Sequence, residues 1–295
     1  MPATEWHILG AGAIGGLFAA HLTRAGVRCT LLLRQPREDS CPMLIETDDG
    51  MTETALPCSP ASARDTVTHV LVTTKAHQAL DALAGLRHRL DTGATVLLLM
   101  NGMGLSEEVS RLFPDARVYC GTTTEGAYRR SGRHIVHAGR GKTLLGSPDG
   151  HPAPAWFPSW EASELTCRWT DDIAAAMWHK LAVNCAINPL TAIHRCRNGA
   201  LIADPELRRA MGALCDEIVA VSSALGFTAT AANLHATVEQ VAAATAENRS
   251  SMLQDVCAGR PTEIDYITGY LVARAMAAGI AVPRNRAVME AIKRD

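Results

Sequence analysis

Three polar side chains recur at four-residue intervals in an otherwise apolar stretch: Lys180, Asn184 and Asn188, within Trp178-His179-Lys180-Leu181-Ala182-Val183-Asn184-Cys185-Ala186-Ile187-Asn188-Pro189. On a helix, positions four apart drift by only about 40° per step, so an ammonium and two carboxamides fall on one stripe. Solvated helix faces carry Glu, Arg and Gln more often than paired Asn, and burying such groups is costly unless a polar ligand meets them. The stripe therefore reads as the wall of a cleft. It suits reduction of a ketone, where hydride addition builds negative charge on the carbonyl oxygen and a proton must arrive there. A lysine partly desolvated by apolar neighbours has its pKa lowered toward working pH, which makes Lys180 the candidate general acid. Lysine is also scarce here, occurring only as Lys75, Lys142, Lys180 and Lys293.

A hydride source is written at the other end of the chain. Gly10-Ala11-Gly12-Ala13-Ile14-Gly15 follows the apolar run Trp6–Leu9 and opens the helical pattern Ile14–Ala25. Between a strand and a helix this spacing is a dinucleotide fingerprint. Gly10 permits the tight turn, Gly12 lets backbone approach a pyrophosphate, and Gly15 allows close helix–strand packing, with the phosphates resting on N–H groups at the helix N-terminus. Arg34, nineteen residues after Gly15, ends the second apolar run where an NAD enzyme places Asp or Glu. An acid there repels a ribose 2′-phosphate, whereas a guanidinium offers it a planar fork of donors, so the expected cofactor is NADPH/NADP. Arg37 reads first as an exposed surface arginine and only second as its assistant.

Further polar groups end strands on the same sheet edge: Lys75 after Val70–Thr74, Asn101 after Val96–Met100, and Thr122–Thr124 after Val118–Gly121. Ligands of open α/β sheets bind outside the carboxyl ends of the strands. Asn101-Gly102 is also a turn-forming pair, and Lys75 reads equally as a solvated helix start. Late in the chain, Thr262 and Asp265 form a capping-box pattern ahead of an apolar helix. Glu263 then occupies the first helical turn, where the dipole stabilises its carboxylate with or without a chemical role. Ser251 carries no assignment by itself. His134-Ile135-Val136-His137 lies on a strand that sends the two imidazoles to opposite faces, and no metal site is expected.

These side chains need elements to position them. The first half alternates short apolar runs with helical patterns such as Ala76–Leu90, the signature of βαβ units and a parallel sheet. Arg133–Ala138 and Lys142–Gly146 flank a Gly-containing turn and read as an antiparallel edge hairpin. Gly146–Pro158 is too rich in Pro and Gly for a regular element. Helical patterns then cover Asp171–Cys185, Pro205–Leu225, Thr230–Ala246 and Glu263–Ala278. The expected fold is α/β: an N-terminal Rossmann-type dinucleotide-binding domain over residues 1–167, followed by an all-α C-terminal domain over residues 168–295. A formal net charge of −2 gives no field for nucleic acid or an anionic membrane. Nine scattered cysteines without a C-x-x-C pair argue against a disulfide framework and fit a reducing, cytoplasmic setting. No run approaches the roughly 18 apolar residues of a membrane span.

Taken together, these residues resemble the ketopantoate reductase family. The matching strings are GAGAIGG (10–16), Arg34, VTTKA (72–76), NGMG (101–104), GTTTEGA (121–127), KLAVNCAINPLTAI (180–193), Asn198-Gly199, AENRSSMLQD (246–255) and TEIDYITG (262–269), in the family's order along nearly the whole chain. The resemblance implies NADPH-dependent reduction of the small 2-oxo acid 2-dehydropantoate (ketopantoate), with Lys180 as proton donor and Glu263 in the catalytic set. It implies substrate binding by Asn184, Asn188, Asn198 and Ser251, with Asn248 nearby. Asn101 then touches nicotinamide and substrate, while Lys75, Ala127 and Glu263 look toward the cofactor. It also implies closure of two domains over the ligands, in a monomer or homodimer. His179 and Arg195 depart from the family's usual residues. Two rival readings are a reductase of another 2-oxo or β-hydroxy acid and a non-catalytic NADPH-binding sensor, which would not need the Lys180 stripe.

Overall fold

The leucine- and valine-rich runs of the first half become central strands because parallel strands are covered on both faces and must be apolar throughout. The computed structural model describes residues 4–35 and 38–294. Contacts divide the chain into two units, one reaching Met100 and resuming over Leu105–Ile173, the other made of Asn101–Gly104 and the chain from Ala174 onward. The first holds β1 (Glu5–Leu9), α1 (Ala13–Arg24), β2 (Arg28–Leu33), β3 (Ser40–Thr47), β4 (Gly50–Pro60), β5 (Val67–Val72), α2 (Ala76–Ala84), β6 (Leu90–Leu99), α3 (Leu105–Leu112), β7 (Arg117–Thr123), β8 (Gly126–Ser131), β9 (His134–Gly139), β10 (Thr143–Gly146), α4 (Phe157–Glu161) and β11 (Cys167–Trp169).

The strands lie in the order β11-β10-β7-β6-β5-β1-β2-β4-β3-β9-β8. β7, β6, β5, β1 and β2 run parallel. From β1 the chain steps outward to β2 and later returns to β1's other flank as β5, so the strand order reverses there. Such a switch point opens a crevice at the carboxyl ends of the strands. Ile8, Leu71 and Leu97 are fully buried in the sheet's core, and Trp6 packs edge-on against Trp156 and Trp160 at 5.0 and 4.8 Å between centroids.

Several local expectations change. Residues 133–138 and 142–146 do not pair with each other. β9 pairs with β8, and β10 with β7, so the chain reverses one strand earlier, at Gly132. Gly141 sits instead where a Cβ would lie 2.4 Å from the Thr124 carbonyl carbon, at a tight crossing of the two ladders. β3 and β4 form an antiparallel ribbon, and Cys41 and Cys58 on it are joined as a disulfide with Cα atoms 6.2 Å apart, a single link rather than a framework and one that the reading of a reducing setting does not anticipate. α2 stops at Ala84, with Gly85 at its C-cap. His134 and His137 engage different carboxylates, Glu46 and Glu125, each at 2.7 Å.

The second unit is helical: α5 (Ile173–Ile193), α6 (Ala200–Ala203), α7 (Pro205–Ala224), α8 (Thr228–Ala244), α9 (Ser251–Cys257), α10 (Thr268–Ala277) and α11 (Pro283–Arg294). α5 continues past Cys185 and through Pro189. A proline inside a helix costs about 3 kcal/mol, and burial of Leu181, Ala182, Cys185, Ala186, Ile187 and Leu190 offsets it. α10 begins at Thr268, so the expected capping box is absent. Thr262 Oγ1 accepts from Ile264 N at 3.4 Å, Asp265 pairs with Lys293, and Glu263 lies in a turn before the helix. α11 went unanticipated. Its N-terminus is capped from a distance by buried Glu217, which accepts from Arg284 N, Asn285 N and Asn285 Nδ2, each at 2.9 Å. Among the described residues no helix is long and apolar enough to cross a membrane.

Candidate active site

In the first unit, β1 delivers the chain into a turn at Gly10, whose φ of +107° lies in the region glycine favours. A Cβ there would sit 2.5 Å from Thr74 N, and one on Gly15 would sit 2.2 Å from Gly10 O and 2.3 Å from Thr73 Oγ1. Thr73 Oγ1 donates to Gly10 O at 2.7 Å, binding the ends of β1 and β5 together. Gly12 differs. A Cβ there would meet nothing nearer than Gly10 O at 3.9 Å, so its missing side chain leaves open space rather than close packing. Gly12 is also the N-cap of α1, with no side-chain cap and no acid in the first turn. The positive end of the helix dipole meets that space unneutralised, which fits a pyrophosphate. Arg34 is exposed immediately beyond β2, while Lys75, at the N-cap of α2, and Ala127, on β8, are partly buried. Arg37 lies outside the described residues. Arg129 of β8 donates to the Ala11 carbonyl within the glycine turn, a contact that no sequence signal announced.

In the second unit, Trp178 sets the rotation of α5. Its Nε1 donates to Ser222 Oγ at 2.9 Å, and its ring stacks on Phe227 at 4.8 Å. With Trp178, Leu181 and Cys185 turned inward, Lys180 and Asn184 are partly exposed and Asn188 is buried. The pKa of Lys180 is lowered to about 8 by burial, with the Glu263 carboxylate pulling it part of the way back up. Glu263 is 5% exposed and accepts from Asn101 Nδ2 at 3.1 Å. Met103 N donates to Tyr266 O at 3.0 Å, and a Cβ on Gly102 would lie 2.5 Å from that same oxygen. The 101–104 segment is thereby held against the 263–267 turn, and Asn101, Glu263 and Lys180 form one electrostatic group. Asn101, expected at a sheet edge, belongs by its contacts to the helical unit.

A second group gathers at the far end of α5, about 12 Å along the helix from Lys180. Thr191 Oγ1 donates to Asn188 O at 2.9 Å and lies 2.7 Å from Ser250 Oγ, which in turn caps α9 through Leu253 N at 3.0 Å. Asn198 N donates to Asn248 O at 3.1 Å, and Asn198 Nδ2 to Thr245 Oγ1 at 2.8 Å. The buried Oδ1 of Asn198 has no hydrogen-bond partner. These bonds bring Asn188, Asn198, Asn248 and Ser251 to one end of the helix, the last two exposed. Thr191, Thr245 and Ser250 were missed by sequence reasoning, since a threonine or serine hydroxyl carries no periodicity of its own. Gly10–Gly15, Arg34, Lys75 and Ala127 belong to the first unit. Burial pushes the thiols of Cys29, Cys120, Cys167, Cys185 and Cys215 up to about 12, which removes them as nucleophiles at neutral pH.

Comparison with known proteins joins the two halves. Residues 6–150 match the family model described as ketopantoate reductase PanE/ApbA, and residues 172–294 match its C-terminal counterpart. The 2-dehydropantoate 2-reductase of Vibrio cholerae serotype O1 is 40% identical over 295 residues, covering 97% of this chain and 96% of that protein. The crystal structure of 2-dehydropantoate 2-reductase from Geobacter metallireducens, 25% identical, superposes with a TM-score of 0.90 over 99% of each chain. D-mandelate dehydrogenase in its ternary structure with NADH and anilino(oxo)acetate, 23% identical, also reaches 0.90 over 99% of this chain and 98% of its own, a likeness of fold. With both models matched and such relatives along its whole length, the chain belongs to the ketopantoate reductase family and is an oxidoreductase.

Proposed function

We propose that this protein reduces the C2 ketone of 2-dehydropantoate to (R)-pantoate with NADPH, Lys180 being the proton donor. The observation that carries this reading is the ammonium of Lys180 held near pKa 8 beside the buried Glu263–Asn101 pair. At pH 7 such a lysine is mostly protonated yet close enough to its pKa to release a proton, the balance general-acid catalysis asks for. Its charge stabilises the oxygen as negative charge builds there. The dinucleotide, when bound, supplies the hydride. Residues 1–167 hold it, with Gly10, Ala11, Gly12, Ala13, Ile14 and Gly15 around the pyrophosphate, Arg34 on the 2′-phosphate, and Lys75 and Ala127 alongside. Residues 168–295, with Asn101, present the substrate. Asn184, Asn188, Asn198 and Ser251, with Asn248 nearby, supply the donors and acceptors that a carboxylate and a 4-hydroxyl need, and the unpartnered Asn198 Oδ1 suits a hydroxyl. The protein works in the cytoplasm on a small molecule, as a monomer or homodimer, with neither nucleic acid nor membrane as partner.

The test follows loss of reduced-nicotinamide absorbance with purified protein, NADPH and 2-dehydropantoate. Lys180→Ala retains NADPH binding and loses on the order of 10²–10⁴ in turnover, the range general-acid catalysis contributes. Normal turnover in that variant refutes the assignment. A 2-oxo acid lacking the 4-hydroxyl serves as the specificity control. Its kcat/KM falls on the order of 100-fold, because the polar groups built for the hydroxyl lose their partner.

A further inference from the structure

The β8–β9 hairpin lays one face on α1. A Cβ on Gly16 would meet Ile135 Cδ1 at 2.5 Å, and the His137 ring lies edge-on to His21 of α1 at 5.9 Å between centroids. The antiparallel register sets Arg129 opposite Ile135 and Ala127 opposite His137. Directly opposed residues share a face, so Ala127 and Arg129 both look toward α1 while Tyr128 looks away. Gly16 lets the hairpin approach closely, and this approach carries Arg129 to the Ala11 carbonyl, in the glycine turn beside the open space at Gly12.

We infer that Arg129 is a further anion contact of the nucleotide site, a guanidinium placed by β8 over the glycine turn to meet the pyrophosphate of the dinucleotide. The inference rests on the dinucleotide reading above and extends it to a residue outside the glycine fingerprint. A neutral carbonyl is a weaker partner for a guanidinium than a phosphate, which takes two parallel N–H bonds from the same planar fork. Arg129 is exposed, so its guanidinium is accessible to a ligand. The uncapped start of α1 meets the same space and favours negative charge there. The two arginines then divide the work. Arg34, at the end of β2, discriminates by the 2′-phosphate, whereas Arg129, over the turn, binds the part that NADPH and NADH share.

Titration of the full-length protein with each reduced nucleotide, read by nicotinamide fluorescence at low and high salt, tests this. Arg129→Gln raises the Kd for NADPH and for NADH by the same factor, about tenfold, or ~1.4 kcal/mol. It also flattens the salt dependence of binding, and Arg129→Lys recovers part of the loss. The thermal midpoint of the ligand-free variant stays within about 2 °C of the parent, as expected for an exposed position. An unchanged Kd in Arg129→Gln overturns the inference. So does an effect confined to NADPH, which moves the contact to the 2′-phosphate. A weakened Kd with a parental salt slope and a lowered midpoint assigns Arg129 to holding the hairpin, and overturns it as well. Failure of the parent protein to bind either nucleotide is a different result, since it refutes the dinucleotide reading itself.

Discussion

Replacing Glu263 with Gln removes one negative charge from beside Lys180 while leaving a side-chain oxygen that still accepts from Asn101. The pKa of Lys180 is the resultant of burial, which lowers it, and the Glu263 carboxylate, which raises it, and it stands at about 8. An opposite charge close by moves a pKa by about one to three units, and the low end of that range suits a partly exposed lysine. One unit corresponds to ~1.4 kcal/mol and places the variant's lysine near pKa 7. The sign is fixed: without the carboxylate the ammonium is less favoured, and the donor is lost at lower pH. The parent lysine is then about nine-tenths protonated at pH 7 and about half at pH 8, against about half and about one-tenth in the variant. The ratio of parent to variant kcat/KM therefore grows from roughly 2 at pH 7 to roughly 5 at pH 8, and approaches roughly 10 at higher pH. The assay is kcat/KM for 2-dehydropantoate from about pH 6 to about pH 9.5, with the alkaline limb fitted for each protein. A ratio constant with pH shows that Glu263 acts in binding alone, and a limb displaced upward contradicts the electrostatic account outright.

Four other outcomes follow from local geometry elsewhere in the chain. Gly12→Ala leaves unfolding free energy within about 0.5 kcal/mol of the parent, because its Cβ enters open space, but it abolishes nucleotide binding by filling the place of a phosphate. Gly15→Ala, with its Cβ 2.2 Å from a backbone oxygen, costs about 2 kcal/mol or more, and equal stability of the two variants in urea titrations sinks this reading of the turn. Arg34→Asp weakens NADPH on the order of 100-fold, about 2.7 kcal/mol, with little change for NADH; equal weakening of both in fluorescence titrations refutes the 2′-phosphate assignment. Arg195 holds φ +48° at the end of α5, so Arg195→Asn, whose side chain tolerates that conformation, raises the urea midpoint by about 0.5–1 kcal/mol of stability, and a lowered midpoint shows that the arginine's own contacts outweigh its backbone cost.

Legibility in the sequence follows the range of the interaction concerned. The α/β and all-helical halves were readable because periodicity is a local property, as were the glycine turn, fixed by contacts with the strands beside it, and the Lys180 stripe, fixed by helical spacing alone. The reversal at Gly132 was misplaced because Gly139 and Gly141 give an equally strong turn signal, and only the clash of a Cβ with the Thr124 backbone shows that Gly141 serves a crossing instead. Cys41 and Cys58 join because of a β3–β4 register that no spacing rule announced. Glu263 shows the limit most sharply. Thr262 and Asp265 look like a capping box, yet the hydrogen bonds close a turn instead, with Ile267 N on Glu263 O at 3.1 Å and Gly269 N on Ile264 O at 2.9 Å.

That turn has a chemical consequence. Had α10 begun at Glu263, the carboxylate would have been stabilised by the helix dipole and needed no partner. Displaced from the helix and buried, it accepts a hydrogen bond from Asn101, 162 residues away in sequence. A buried carboxylate costs several kcal/mol unless it is paired or hydrogen-bonded. The 101–104 segment packs on the 263–267 turn, and the Asn101 hydrogen bond it brings holds the Glu263 carboxylate where it raises the pKa of Lys180. Gly102 and Gly104, at φ +92° and +98°, are what let that segment lie against Tyr266 and Tyr270, so the proton donor's pKa rests in part on two glycines that carry no charge.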